Sequence, residues 1–96
     1  MPEQITLISR SKTGIRPLVQ SAIQSELKML ELGLRRTELN IKAFENKYSL
    51  TSEELAKRIS SGEMAESLDF IEWLGEYKTW QLLQENYRAL KEIEIC

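Results

Sequence analysis

The chain has 96 residues, 42% of them hydrophobic and 29% charged, with a formal net charge of −2. This composition is that of a folded globular chain and excludes a disordered one, and the length allows a single domain with a modest core. The sequence contains no histidine and one cysteine, Cys96, which excludes an intrachain disulfide, a cysteine metal site and most hydrolase mechanisms.

The sequence also lacks the marks of export or membrane insertion. No apolar run approaches the roughly 18–20 residues that cross a bilayer. The N-terminus has no basic region followed by an apolar stretch, as a signal peptide would have. Because no cysteine pair is available for a disulfide, we expect a cytoplasmic protein, with no membrane partner and no cofactor.

Charge is distributed unevenly along the chain. Residues 1–17 carry a net charge of +2 and residues 18–48 a net charge of +1, whereas residues 77–96 are balanced. Residues 49–76 carry −5, from seven acidic against two basic side chains. An acidic middle segment of this kind suits a basic partner.

The first sixteen residues form an N-terminal arm without helical periodicity. Residues 5–8, Ile-Thr-Leu-Ile, are the only β-leaning stretch, so two interpretations stay open: an unstructured arm and a short strand. Pro17 suits the first turn of a helix, where its missing N–H costs nothing. We therefore divide the chain into an arm, residues 1–16, and one helical domain, residues 17–96.

A long helix is predicted from about residue 17 to residue 47. Eight positions follow one another at spacings of four and three, which is a heptad seam with one polar step at Thr37. Gly33 lies inside the helix and lowers helix stability by about 1 kcal/mol relative to alanine. The seam keeps its phase across Gly33, which favours one continuous helix, closely approached there by another, over a break. The seam residues are Ile23, Leu27, Leu30, Leu34, Thr37, Ile41, Phe44 and Tyr48.

A short second helix is predicted over about residues 51–60. Thr51 and Glu54 have the spacing of a capping box, in which each side chain bonds the backbone N–H of the other residue. Gly62 is then placed for a left-handed turn that ends the helix.

A third helix is predicted from about residue 68 to residue 93. Asp69 and Glu72 form a second capping box, with Leu68 and Trp73 as the apolar pair that would staple it. Apolar and aromatic residues at spacings of three and four then line one broad side of the helix. These residues are Phe70, Trp73, Tyr77, Trp80, Leu83, Tyr87 and Leu90, with Ile71, Leu74 and Leu82 widening the stripe.

Together these elements predict an all-α fold in which the two long helices form an antiparallel hairpin with the short helix between them. Two helices alone make a thin core, so part of each apolar stripe needs another cover. We expect a homodimer that forms a four-helix arrangement.

Acidic side chains form one cluster that could carry chemistry or binding. Three interpretations apply to it: a solvated helix-capping face, a docking surface for a basic protein, and a metal or acid–base site. The spacing matches neither a calcium loop nor a Glu-x-x-His pattern, which disfavours the third. The cluster consists of Glu53, Glu54, Glu63, Glu66, Asp69 and Glu72.

Aromatic and basic side chains supply the other candidates. Trp73, Tyr77 and Trp80 are either core residues or anchors in a partner groove. The basic side chains suit phosphate contacts and so a DNA-binding alternative, although five scattered bases on an acidic chain are a small electrostatic footprint. They are Arg10, Lys12 and Arg16 in the arm, and Arg35 and Arg36 in the first helix.

Four sequence stretches carry a resemblance to a known group. Phe44-Glu45-Asn46-Lys47-Tyr48, Thr51-Ser52-Glu53-Glu54-Leu55, Gly62-Glu63 and Ser67-Leu68-Asp69-Phe70-Ile71-Glu72-Trp73 resemble small prokaryotic helical proteins similar to the antitoxin-side partners of toxin–antitoxin modules. The likeness covers about residues 40–92. It implies a non-enzymatic protein that binds and restrains a partner, such as a basic nuclease encoded nearby.

The sequence therefore predicts a protein–protein interaction module. Its acidic residues Glu53, Glu54, Glu63 and Glu66 would steer a basic partner, and one of the three aromatic residues would anchor it. Two alternatives stay open: a DNA-binding or transcription-regulating dimer that uses the basic arm, and a structural homodimer without a partner groove.

Overall fold

The computed structural model describes residues 3–94, so Cys96 lies outside the described residues. It contains three helices, α1 (Arg16–Tyr48), α2 (Ser52–Ser60) and α3 (Leu68–Lys91). Helix α1 packs along α3 in an antiparallel hairpin, and α2 packs against α3. The all-α hairpin predicted from the sequence is confirmed, and each helix ends within two residues of the predicted position.

The predicted seam of α1 is the side that faces α3. Pro17 lies in the first turn, and the helix continues without a break through Gly33. A Cβ atom on Gly33 would lie 3.2 Å from Leu83 Cδ1, so the close approach of a second helix explains the glycine. Thr37, the polar step of the seam, is buried because its hydroxyl donates to the Gly33 and Leu34 carbonyl oxygens, both at 3.0 Å.

The arm forms no strand in the described part of the chain. Residues 3–15 have neither helical nor strand structure, and the side chains of residues 5–8 are exposed. A strand needs a neighbour to take up its backbone hydrogen bonds, and no such neighbour pairs with these residues. The strand interpretation of residues 5–8 was therefore wrong for this structure.

Helix α2 begins as predicted, but only half of its capping box forms. The Thr51 hydroxyl accepts the Glu54 backbone N–H at 3.2 Å. Glu54 itself turns along the helix and accepts a bond from Arg58 Nε at 3.2 Å. Gly62 follows the helix with φ +82°, the left-handed conformation that its position predicted.

The N-cap of helix α3 lies two residues earlier than the predicted capping box requires. Its cap is Ser67, whose hydroxyl accepts the Phe70 backbone N–H at 3.1 Å. Asp69 is therefore free to bond to α1 instead of capping. The staple of Leu68 with Trp73 does not form either, because Leu68 is exposed and Trp73 is fully buried. The second capping box was therefore wrong.

The core of the hairpin is thin. Five apolar side chains are buried among the described residues, and most of the aromatic stripe of α3 is only half-buried. Ile71 and Leu82, which the sequence analysis placed on the edge of this stripe, are exposed. The buried apolar residues are Leu27, Leu30, Ile41, Leu55 and Trp73.

Candidate interaction surfaces

A buried hydrogen-bond network fixes the end of the hairpin where α1 stops and α3 starts. Trp73 Nε1 donates to Ser52 Oγ at 2.7 Å, and Ser52 Oγ donates to Glu45 Oε2 at 2.9 Å. The backbone N–H of Ser52 also donates to Glu45 Oε2, at 2.8 Å. These three residues belong to α3, α2 and α1, so one network joins all three helices. We call this end of the molecule the closed end.

Aromatic rings surround Trp73 at the closed end. Phe44 and Tyr48 stack on it, with ring centroids 5.8 Å and 5.9 Å away. Phe70 packs edge-on against Tyr48 at 5.1 Å. This arrangement places Trp73 in the core, so its ring is not available as a surface anchor in this conformation.

Asp69 links the start of α3 to the end of α1. Its Oδ2 accepts a hydrogen bond from the Tyr48 hydroxyl. The same oxygen forms an ion pair with Lys47 Nζ at 2.9 Å. The bonds from Tyr48 and then Lys47 lower the pKa of Asp69. The bond to Asp69 is also the main cause that raises the pKa of Lys47 and of Tyr48. This carboxylate therefore has a structural role and is not part of a free acidic face.

The other predicted acidic residues differ in exposure: Glu54 is half-buried, and Glu72 is exposed on α3. Glu54 is paired with Arg58. Glu53, Glu63 and Glu66 are exposed, and none of them has an ion-pair partner among residues 3–94. Leu68, which follows Glu66 at the start of α3, is 86% exposed. The closed end thus combines three free carboxylates with one bare leucine, and we call Glu53, Glu63, Glu66 and Leu68 the acidic patch.

Tyr77 and Trp80 lie along the edge of the hairpin. Their rings stack with centroids 6.1 Å apart, and both side chains are half-buried. Trp80 Nε1 donates to Glu38 Oε1 of α1 at 3.1 Å, so its polar atom already has a partner within the chain. A neighbouring bond of the same type joins the Tyr87 hydroxyl to Glu31 Oε1 at 2.9 Å. These aromatic residues therefore hold α3 to α1, and only their outer edges can meet another molecule.

The basic residues do not form one site. Arg10 and Lys12 lie in the exposed arm, and Arg16 begins α1. Arg35 and Arg36 lie nineteen and twenty residues further along the same helix, which at 1.5 Å per residue is roughly 28 Å away. The structure therefore separates the two groups that the DNA-binding alternative would combine.

Each long helix also has an exposed apolar stripe; the sequence analysis missed the one on α1 and assigned Ile71 and Leu82 of the one on α3 to the side that faces α1. On α1 it consists of Leu18, Met29, Leu32 and Leu39, which are exposed and lie off the seam that contacts α3. A second series of four-and-three spacings marked it in the sequence. On α3 the exposed stripe consists of Ile71, Gly75, Leu82 and Ala89.

Other classes of site have no support in the described part of the chain. Among residues 3–94, no group of three acidic or cysteine side chains is placed to hold a metal ion. No helix in that range is long and apolar enough to cross a bilayer. A groove of about 290 Å³ is lined by α1 and α3 side chains, including Lys47, Glu72 and Glu76.

Comparison with known proteins finds no matching family model, no matching curated protein and no matching solved structure.

Proposed function

We propose that this chain is a non-catalytic, cytoplasmic protein-binding module that captures a basic partner protein at its closed end, as an antitoxin-like inhibitor would. The observation that supports this most directly is the acidic patch. Glu53, Glu63 and Glu66 are exposed without ion-pair partners in the described chain, and Leu68, two residues after Glu66, is 86% exposed.

Charge and apolar surface have separate tasks in this proposal. Free carboxylates attract a basic surface over distances of about 10 Å at ordinary salt, which raises the rate of encounter. Leu68 then supplies apolar area that a partner pocket can bury. The network of Glu45, Ser52 and Trp73 holds the three helices beneath the patch, so little ordering is required on binding.

Affinity capture from the source organism tests the proposal. The tagged full-length chain is expected to recover one stoichiometric protein with a positive net charge, with the product of an adjacent gene as the first candidate. The variant Glu63→Lys/Glu66→Lys is expected to lose this protein. The variant Glu92→Lys/Glu94→Lys makes the same change of charge on exposed positions at the other end of α3 and serves as the matched control. Equal recovery with both variants contradicts the proposal.

We also propose that the module is a homodimer formed through the exposed stripe of α3. Gly75, Leu82 and Ala89 recur every seven residues and are exposed, and a Cβ atom on Gly75 would meet nothing within 4 Å. The chain's own fold therefore does not require this glycine, whereas a second helix approaching closely would. An antiparallel pair centred on Leu82 places Gly75 opposite Ala89 of the second copy, and Lys78 beside Glu85 of the second copy.

A further inference from the structure

Helix α1 has a second heptad series on the side away from α3. Eight positions follow one another at spacings of four and three, and all eight are exposed. Their four large apolar side chains are between 59% and 72% exposed. We call this series the outer seam, and it consists of Leu18, Ala22, Ser25, Met29, Leu32, Arg36, Leu39 and Ala43.

The outer seam has the form of one half of a coiled coil. It runs over 26 residues, from Leu18 to Ala43, and the 25 steps between them span roughly 37 Å at 1.5 Å per residue. A heptad series of apolar residues is what a partner helix needs to insert its own side chains. Nothing in the described chain covers this side of α1, since α3 contacts the opposite seam through Leu27, Leu30 and Ile41.

One flank of the outer seam is basic, whereas the opposite flank holds Glu26, Gly33 and Asn40. Lys28, Arg35 and Lys42 recur every seven residues, each at the position that borders the seam, and Arg36 lies within the seam itself. All four are exposed and have no ion-pair partner among residues 3–94. Charges at such bordering positions select the partner helix in coiled coils. This surface is therefore basic although the chain as a whole carries −2.

The charges disfavour a second copy of the chain as the occupant. In an antiparallel pair, with Met29 opposite Leu32 of the second copy, Lys28 comes beside Arg35 of the second copy. In a parallel pair, Arg36 meets Arg36 of the second copy. Like charges at these positions destabilise a helix pair, so pairing of the outer seam with the same seam of a second copy is unfavourable.

The apolar residues disfavour a nucleic acid as the occupant. Phosphate contacts need basic side chains and gain nothing from bare leucines. Leu32, Leu39 and Met29 alternate with the basic residues along the same side of α1. A partner that buries the apolar residues and pairs with the basic ones satisfies both.

We propose that the outer seam binds an amphipathic helix of a second protein, whose apolar residues enter the seam and whose flanking residues are acidic. This surface shares no residue with the acidic patch. The chain is then an adaptor with two faces of opposite charge, one for a basic partner and one for an acidic helix. The inference stands or falls independently of the basic partner.

Two designed peptides test the proposal directly. Both are about four heptads long with the same leucine seam, and they differ only in flanking residues, which are glutamate in one and lysine in the other. Binding of each labelled peptide to the full-length protein is measured by fluorescence anisotropy. We expect the acidic peptide to bind about tenfold or more tightly than the basic one, because three bordering ion pairs each contribute modestly.

Three variants of the protein make the test specific. Lys28→Glu/Arg35→Glu/Lys42→Glu is expected to exchange the preference, so that the basic peptide binds more tightly. Leu32→Ser is expected to weaken binding of both peptides, whereas Leu7→Ser, at a similarly exposed leucine in the arm, is expected to leave it unchanged. Helix content and the thermal midpoint of each variant, followed by circular dichroism, establish that it folds.

Three results overturn the proposal. The first is a failure of the acidic peptide to bind the folded wild-type protein. The second is binding of duplex DNA that the triple charge reversal abolishes and Leu32→Ser leaves unchanged, which identifies a nucleic-acid surface. The third is self-association that Leu32→Ser abolishes, which identifies a second copy as the occupant.

Discussion

The indole N–H of Trp73 donates a hydrogen bond of 2.7 Å to the hydroxyl of Ser52, and both side chains are buried. The Ser52 hydroxyl uses its own proton to bond Glu45 Oε2 at 2.9 Å. A single hydroxyl thus acts as acceptor towards α3 and donor towards α1 while it sits in the first turn of α2. Because the indole N–H and the hydroxyl are removed from water, each depends on the other for its partner, and the half-buried Glu45 carboxylate completes the network.

The first prediction concerns this hydroxyl. Ser52→Ala leaves the buried indole N–H without an acceptor and removes one donor from Glu45. We expect the free energy of unfolding to fall by about 1–3 kcal/mol, the usual cost of an unsatisfied buried polar group. Urea denaturation followed by tryptophan fluorescence measures the change. Ser60→Ala, at an exposed position of the same helix, is the control and should change stability little. Equal effects of the two substitutions would show that the network is not stabilising.

The sequence predicted the helices and the seam because both depend on local chemistry and on periodicity. Leu27, Leu30 and Ile41 are buried where the heptad series placed them, and the Gly33 contact with Leu83 is the close approach that a helical glycine indicates. These features can be predicted from local sequence, without knowing which distant residues they contact.

The closed end could not be predicted in the same way. Ser52 and Glu45 carry no recognisable spacing, and their roles arise only when α1, α2 and α3 converge. Asp69 was assigned to a capping box because the box is a local signal, yet Lys47 and Tyr48 compete for its carboxylate from another helix. The outer seam is also a heptad series, but Ser25 and Arg36 interrupt it, and the sequence analysis followed only the more apolar series that faces α3.

The second prediction concerns the distance between the long helices. Gly33→Leu places a side chain where a Cβ atom alone already lies 3.2 Å from Leu83 Cδ1. The helices must separate or Leu83 must leave its position, so we expect a loss of about 1–3 kcal/mol of stability despite the better helix propensity of leucine. Thermal unfolding followed by circular dichroism measures this loss. Ala22→Leu, at an exposed position of the same helix, should not lower stability.

The third prediction is the pH dependence of the closed end. The pKa of Asp69 is lowered by its bonds from Tyr48 and Lys47, so its contribution to stability is present above its ordinary pKa and is lost as pH falls through the lowered value. The pKa values of Lys47 and Tyr48 are raised, so the stability that each contributes is lost as pH rises through the raised values in the alkaline range.

Thermal midpoints measured across pH test this dependence. Asp69→Asn should remove part of the acid-induced loss seen in the wild-type protein, and NMR titration of the Asp69 carboxyl should give a midpoint below that of an exposed aspartate. Glu72→Gln changes an exposed carboxylate in the same turn of α3 and serves as the control. An Asp69 midpoint at or above the ordinary value would contradict the structure.

The fourth prediction concerns the homodimer. Leu82→Glu places two like charges at the centre of the proposed pair and should give a monomer in sedimentation velocity at micromolar concentrations. Lys78→Glu and Glu85→Lys should each weaken the dimer, and the double variant should restore it, because the pair between the copies is then reversed rather than broken. Leu32→Glu changes the outer seam of α1 instead and should leave the dimer intact. A wild-type protein that sediments as a monomer refutes the pairing.

The fifth prediction separates steering from anchoring at the acidic patch. Glu63→Lys/Glu66→Lys should slow association with the captured basic partner, by a factor that shrinks as salt rises, because carboxylates act on the encounter at long range. Leu68→Ser should instead speed dissociation at every salt concentration, because it removes apolar contact area from the bound complex. Stopped-flow or surface-plasmon measurements at two or more ionic strengths distinguish the two effects. An unchanged association rate for the charge variant at low salt would place the partner elsewhere on the molecule.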